Sequence, residues 1–174
     1  MAADAFLVFT TDIGPKIQGE STDATYGPMG AIEIPEWGFG LSNAIAIGSQ
    51  SSGTGVGKAK LNQFTVTKSV DKASAALMQY VAQGLHLPEA DLYIRKAGGS
   101  QNTYLIYKFG LVYITDVEWS GAAGGETPTE QVTFVYGSFQ INYTPQNLDG
   151  TLITSAKQTA SWSQILGQPT FQTK

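Results

Sequence analysis

Residues 71–99, DKASAALMQYVAQGLHLPEADLYIRKAGG, decide the fold, because they hold the one helical pattern in the chain and a strand that follows it. Asp71 stands where a helix N-cap belongs, since a short side-chain oxygen there accepts from the unpaired N–H groups of the first turn. Ala73, Ala76, Leu77, Tyr80 and Val81 fall at i, i+3, i+4, i+7 and i+8, which puts them on one apolar stripe. Gly84 takes the left-handed position just past the last turn. The spacing predicts a helix over 72–83, lying against a sheet, and a strand over 92–95.

Working outward, the other apolar runs read as strands. Residues 6–9 open one, which ends at the Gly14-Pro15 breaker. Over 31–47, Ile32, Ile34, Trp37, Phe39, Leu41, Ile45 and Ile47 recur mostly at every second position. The phase shifts after Ile34 and before Ile45 predict a bulge or bend, which Pro35 and Gly38 tolerate. A further run spans 60–70, with Phe64 and Val66 facing one way. Residues 104–117 are aromatic or β-branched at nearly every position, as in strands covered on both faces. Gly110 divides or bends that run, and Gly137 does the same within 132–143. About eight strands and one helix predict a mostly β chain: a β-barrel of two packed antiparallel sheets with one flanking α-helix. No repeat or linker interrupts the chain, so residues 1–174 read as a single domain.

Composition narrows the function. The chain has no cysteine, which excludes thiol redox chemistry and thiolate metal sites. Ten Lys and Arg against 14 Asp and Glu give a net charge of -4, the wrong balance for a broad nucleic-acid surface. Charged residues are 14% of the chain, against roughly 25% in an ordinary soluble domain. Such a surface is expected to be covered in part by partner subunits. No cation precedes Lys16 and the first apolar run is short, so no Sec signal is read. No segment has the length of a membrane helix, and membrane insertion is not expected.

The candidate motifs for chemistry fail one after another. The glycine- and serine-rich stretch 48–57, GSQSSGTGVG, ends at Lys58 and invites a phosphate-loop reading. That motif needs a glycine where Ser52 stands and a hydroxyl where Ala59 stands, followed by a helix rather than a strand. His86 is the only histidine, which rules out a metal site with two His ligands; it reads as a surface or loop residue. Asp116 and Glu118, and Glu89 and Asp91, are carboxylates two apart on predicted strands, hence on one face. Solvated strand ends explain both pairs. Trp37, Trp119 and Trp162 suit a core, an interface or a ligand pocket equally. The expectation is no catalytic residue, no metal and no cofactor.

The run 71–99 also resembles the haemolysin-coregulated protein (Hcp) family of bacterial type VI secretion. The matching features are the Asp71-Lys72 entry into a helix containing Leu77-Met78, then a short loop and strand, then the turn Arg95-Lys96-Ala97-Gly98-Gly99. Gly19-Glu20-Ser21, the stretch 37–42, and Tyr143-Thr144-Pro145-Gln146 before Asp149-Gly150 follow in the family's order. The resemblance is strongest over 4–150 and leaves 151–174 as a C-terminal tail. It implies a barrel subunit that assembles with itself into hexameric rings, stacked into a tube. A contractile sheath drives that tube out of the cell behind a spike protein, with effector proteins in the ring lumen. It also implies synthesis in the bacterial cytoplasm followed by export through the secretion machine itself.

Two groups of residues are singled out against that background. Gln50, Ser51, Ser52, Gly53, Thr54, Gly55 and Val56 form the candidate ring-stacking loop, because a long flexible loop orders on contact. Arg95, Lys96, Gly98 and Gly99 are the candidate subunit-contact or turn residues, the glycines serving positive φ and Lys96 a subunit boundary. The rival readings are a tail-tube protein of a phage or other contractile particle, and a monomeric ligand-binding β-barrel.

Overall fold

The structure, a computed structural model, describes residues 3–46, 55–96, 101–125 and 127–173. The predicted helix is α1, Ala73–Gln83. Asp71 does cap it: its Oδ1 accepts from the Ala73 N–H at 2.9 Å, and its own N–H donates to Ser74 Oγ at 3.1 Å. Gly84 ends it in the left-handed region at φ 63. Ala73, Ala76, Leu77 and Tyr80 are buried, as the stripe requires, and the Tyr80 hydroxyl donates to the Ile13 carbonyl at 2.5 Å.

The strands are β1 (Ala3–Thr10), β2 (Ile32–Glu33), β3 (Glu36–Gly38), β4 (Leu41–Ala46), β5 (Gly55–Leu61), β6 (Phe64–Ser69), β7 (His86–Lys96), β8 (Thr103–Ser120), β9 (Thr129–Tyr143) and β10 (Gln158–Ser163). Eight of them form one antiparallel sheet in the order β2-β1-β7-β8-β9-β6-β3, with β10 also on β9. β2 and β3 lie at opposite ends of that order, yet only Ile34 and Pro35 separate them. Three Cα–Cα steps span at most ~11 Å. The two edges of the sheet must therefore meet, and the sheet curls into a barrel. Its walls belong to one continuous sheet, and the Ile34 N–H bonds the Ala5 carbonyl at 2.9 Å, extending the β1–β2 ladder up to the crossing.

The phase shifts in 31–47 are real breaks, for this run supplies β2, β3 and β4. Pro35 lacks the N–H that would continue a ladder, and it lies at the crossing. The run 60–70 is likewise two strands, with Asn62 and Gln63 passing from β5 to β6. Neither Gly110 nor Gly137 divides its strand, since β8 and β9 are continuous. β9 pairs with β6 over Thr129 to Phe134 and with β10 over Ser138 to Tyr143, changing partner at Gly137. Opposite it, Leu111 takes φ 50.

Aromatic rings fill the interior. Phe64 stacks on Phe134 with centroids 4.6 Å apart, and Phe109 meets Phe64 edge-on at 5.1 Å. Phe9 reaches Phe134 at 6.0 Å from β1, a strand that does not neighbour β9, so this contact crosses the barrel. One buried polar network interrupts the apolar core. Glu130 has Lys68 beside it on β6 and Trp119 on β8. Its Oε1 lies 2.9 Å from Lys68 Nζ, and its Oε2 accepts from Trp119 Nε1 at 2.7 Å. Lys68 also holds Asp71 at 2.7 Å, while Ser74 donates to Glu130 at 3.2 Å. The network ties the start of α1 to the sheet with every charge paired.

Candidate interface surfaces

The hairpin β4–β5 is a sheet of its own, paired from Leu41 with Leu61 to Ala46 with Gly55. Its base is tied to the C-terminal region, where Gln164 Oε1 accepts from the Leu61 N–H at 2.7 Å. Leu41 and Ile45 stand 61% and 57% exposed on it. Of the candidate stacking residues, Gly55 and Val56 begin β5, Gly55 opposite Ala46 and Val56 opposite Ile45. Gln50, Ser51, Ser52, Gly53 and Thr54 lie outside the described residues, as do Gly98 and Gly99.

Arg95 is buried inside its own chain. It reaches Asp4 Oδ2 at 3.5 Å and donates to Asp23, and its guanidinium sits 4.8 Å over the Phe6 ring and 5.7 Å from that of Tyr26. The planar cation thus clasps β1 and the loop 11–31 onto β7. Asp23 is held below the usual carboxylate range, first by the Tyr26 N–H and further by the Thr25 N–H and Arg95. Lys96, paired opposite Ala3 at the end of β7, is half-buried.

The two carboxylate pairs part company. Asp116 and Glu118 are exposed, as expected of solvated positions. Glu89 and Asp91 are not at a strand end: they lie within β7, half-buried, under Lys108 of β8. Lys108 Nζ is 2.5 Å from Glu89 and 4.0 Å from Asp91, and the Tyr93 hydroxyl donates to Asp91 Oδ2 at 2.9 Å. Burial, reinforced by the neighbouring Glu89, pushes Asp91 up to about 7, with Lys108 opposing. Asp91 Oδ1 is buried without a hydrogen-bond partner. Sequence spacing found the pair but not this burial, which comes from the barrel wall and the tail. His86 opens β7 with its ring 5.8 Å from Tyr113, rather than standing in a loop.

The C-terminal tail packs back onto the sheet. Beyond β10 the chain turns back, and Gln172 crosses the sheet over Gly110. Ser138 Oγ donates to the Gln172 carbonyl at 2.5 Å and accepts its N–H at 3.0 Å, while Gln172 Oε1 takes the Ser163 hydroxyl at 2.8 Å. Phe171 lies 5.5 Å from Lys108 Nζ. A Cβ on residue 110 would stand 1.8 Å from the Gln172 oxygen, so only glycine fits. Of the tryptophans, Trp37 packs on Phe39 and Tyr107, Trp119 serves Glu130, and the Trp162 indole N–H is buried without a partner. Among the described residues no cluster of His, Cys, Asp and Glu could hold a metal ion, and no helix is long and apolar enough to cross a membrane.

Comparison with known proteins agrees with this architecture. Protein hcp1 of Pseudomonas aeruginosa is 36% identical over 151 residues, which are 86% of this chain and 88% of that one. A solved type six secretion system protein superposes with a TM-score of 0.85 at 30% identity, over 97% of this chain and all of the other. Hcp1 from Salmonella typhimurium does so with a TM-score of 0.72 at 26% identity, over 98% of this chain and all of the other. The family model described as "Type VI secretion system effector, Hcp" matches residues 6–143. With a curled β-barrel, one flanking helix and a separate hairpin, the chain belongs to the Hcp family of type VI secretion.

Proposed function

We propose that this chain is the inner-tube subunit of a type VI secretion system, with six copies closing into a ring and rings stacking into a tube. Family membership supports the reading, and the β4–β5 hairpin is the observation that carries it. A two-stranded hairpin is marginal in water by itself, and this one displays Leu41 and Ile45 to solvent. A ring needs a heterologous contact, one surface of each subunit meeting a different surface of the next. The hairpin supplies one of those surfaces. Gln50 to Val56 reach the adjacent ring, and Lys96 sits near a subunit boundary, with Gly98 and Gly99 serving a turn.

In this reading effector proteins ride in the lumen, a spike protein caps the tube and a contractile sheath expels it. The subunit is made in the cytoplasm and leaves through the machine without a Sec signal. Its work is assembly, and no residue is assigned a catalytic step. Negative-stain microscopy of the purified chain tests the proposal. Rings with an open centre are the expected result, and a monodisperse monomer at high protein concentration overturns it.

A further inference from the structure

The seam of the barrel is not fully zipped. β1 has β2 beside it only at Phe6 and Leu7, and β6 has β3 beside it only from Thr65 to Thr67. Past those pairs, Ala3 and Asp4 on one edge and Lys68 and Ser69 on the other border a groove of about 860 Å³. Its charged lining is Asp4, Glu20, Asp23, Glu33 and Asp71, against Lys68 and Arg95. Both cations are already committed, Arg95 to Asp4 and Asp23, Lys68 to Asp71 and Glu130. Glu20 and Glu33 are exposed and have no cation within 4.0 Å among the described residues. Ser21, next to Glu20, donates to Glu33 at 2.8 Å, which holds the two carboxylates on one rim.

The complement of this groove is on the same chain. Lys58 and Lys60 of β5 are exposed and without a carboxylate partner among the described residues. Two apart on a strand, they project from one face about 6.6 Å from each other. Among the described residues β4 and β5 pair as strands only with each other, so the far edge of β5 has no strand on it, although its Leu61 N–H is taken by Gln164. An unpaired edge is a template for a further strand.

We infer that the seam groove is the docking site for strand β5 of a second copy of this chain, with Lys58 and Lys60 facing Glu20 and Glu33. This rests on the ring reading and specifies which two surfaces meet. The contact is heterologous, because groove and hairpin are different parts of the chain, and so it can repeat around a ring. Opposite charges steer the encounter, while like charges reject the pairing of groove with groove or of hairpin with hairpin.

The test is charge reversal read by sedimentation velocity and native mass spectrometry. Lys58→Glu/Lys60→Glu and Glu20→Lys/Glu33→Lys should each raise the concentration of half-assembly by at least ~10-fold. The chain carrying all four reversals should assemble near the wild-type concentration. All four residues concerned, Lys58, Lys60, Glu20 and Glu33, are exposed, and circular dichroism melts check that each variant folds. Because the chain has no cysteine, a Lys60→Cys/Glu33→Cys chain should also form an intermolecular disulfide under oxidation. Wild-type rings whose variants assemble unchanged, or a Glu33→Cys ring that a maleimide probe labels freely, overturn the pairing alone. A wild-type chain that stays monomeric overturns the pairing and the ring reading together.

Discussion

Lys68 and Glu130 face each other across β6 and β9, with Nζ 2.9 Å from Oε1 and both side chains buried. Both charges are buried, and among the described residues Lys68 is the one cation that Glu130 has, while Lys68 shares itself between Glu130 and Asp71. Removing one partner leaves an uncompensated buried charge, at about 3–5 kcal/mol. Lys68→Met should therefore lower the unfolding free energy by that amount in urea titration. Lys68→Met/Glu130→Leu should recover most of the loss, because an apolar pair of similar volume has no charge to desolvate. A double variant as unstable as the single one would count against this account.

Gly110 and Gln172 make the second prediction. The tail lies where a side chain at residue 110 would be, and a Cβ there meets its carbonyl oxygen at 1.8 Å. Gly110→Ala should displace residues 169–173, with hydrogen exchange of the Gln172 amide rising to the rate of an open chain. The expected loss of stability is about 1–3 kcal/mol, typical of overpacking a filled site. Deleting 169–174 in the same background should add little.

Asp91 gives the chain a pH dependence of definite sign. Its carboxyl is raised to about 7 from the ordinary 3.8, so between those values the folded chain holds a proton that the unfolded chain has released. Folding stability then falls as pH rises through that window, by up to about 1.4 kcal/mol per pH unit, and levels off above it. Asp91→Asn should flatten the slope. Thermal melts from acid to neutral pH measure it, and an unchanged slope in the variant would refute the assignment.

Arg95 and Lys96 are adjacent but should behave differently. Arg95→Ala releases β1 and the loop around Asp23, and the lost charged hydrogen bonds should lower stability by about 2–3 kcal/mol. Arg95→Lys should recover less than half, because an ammonium neither forks between Asp4 and Asp23 nor stacks flat on Phe6. Lys96→Glu should leave the melting temperature of the subunit alone and weaken the ring on native mass spectrometry. A ring of unaltered strength would remove Lys96 from the boundary.

Deleting residues 50–56 should leave rings intact and reduce their stacking into tubes, seen by negative-stain microscopy. Ordering a glycine- and serine-rich segment costs conformational entropy, so the stacking contact is expected to be weak and easily lost. Tubes of normal length from the deleted chain would exclude the loop from that role.

Local patterns were legible in the residues alone. The stripe from Ala73 to Val81, the cap at Asp71 and the stop at Gly84 describe α1 to within a residue, because side-chain spacing and turn chemistry act over a few positions. The strands were legible only in part: residues 92–95 are the end of β7, which begins at His86, and nothing in the pattern announced β10. The alternation also carried a signal in Phe64-Thr65-Val66-Thr67-Lys68, where a lysine occupies the inward phase, and in Glu130 two before Val132. What no local pattern contains is which strands meet. The closure forced by Ile34-Pro35, the burial that raises Asp91, the Arg95 clasp across 72 residues to Asp23 and the groove at the seam all join distant positions. Such contacts form only when the whole sheet has curled, since burial and the pairing of charges belong to the assembled barrel and not to any one strand.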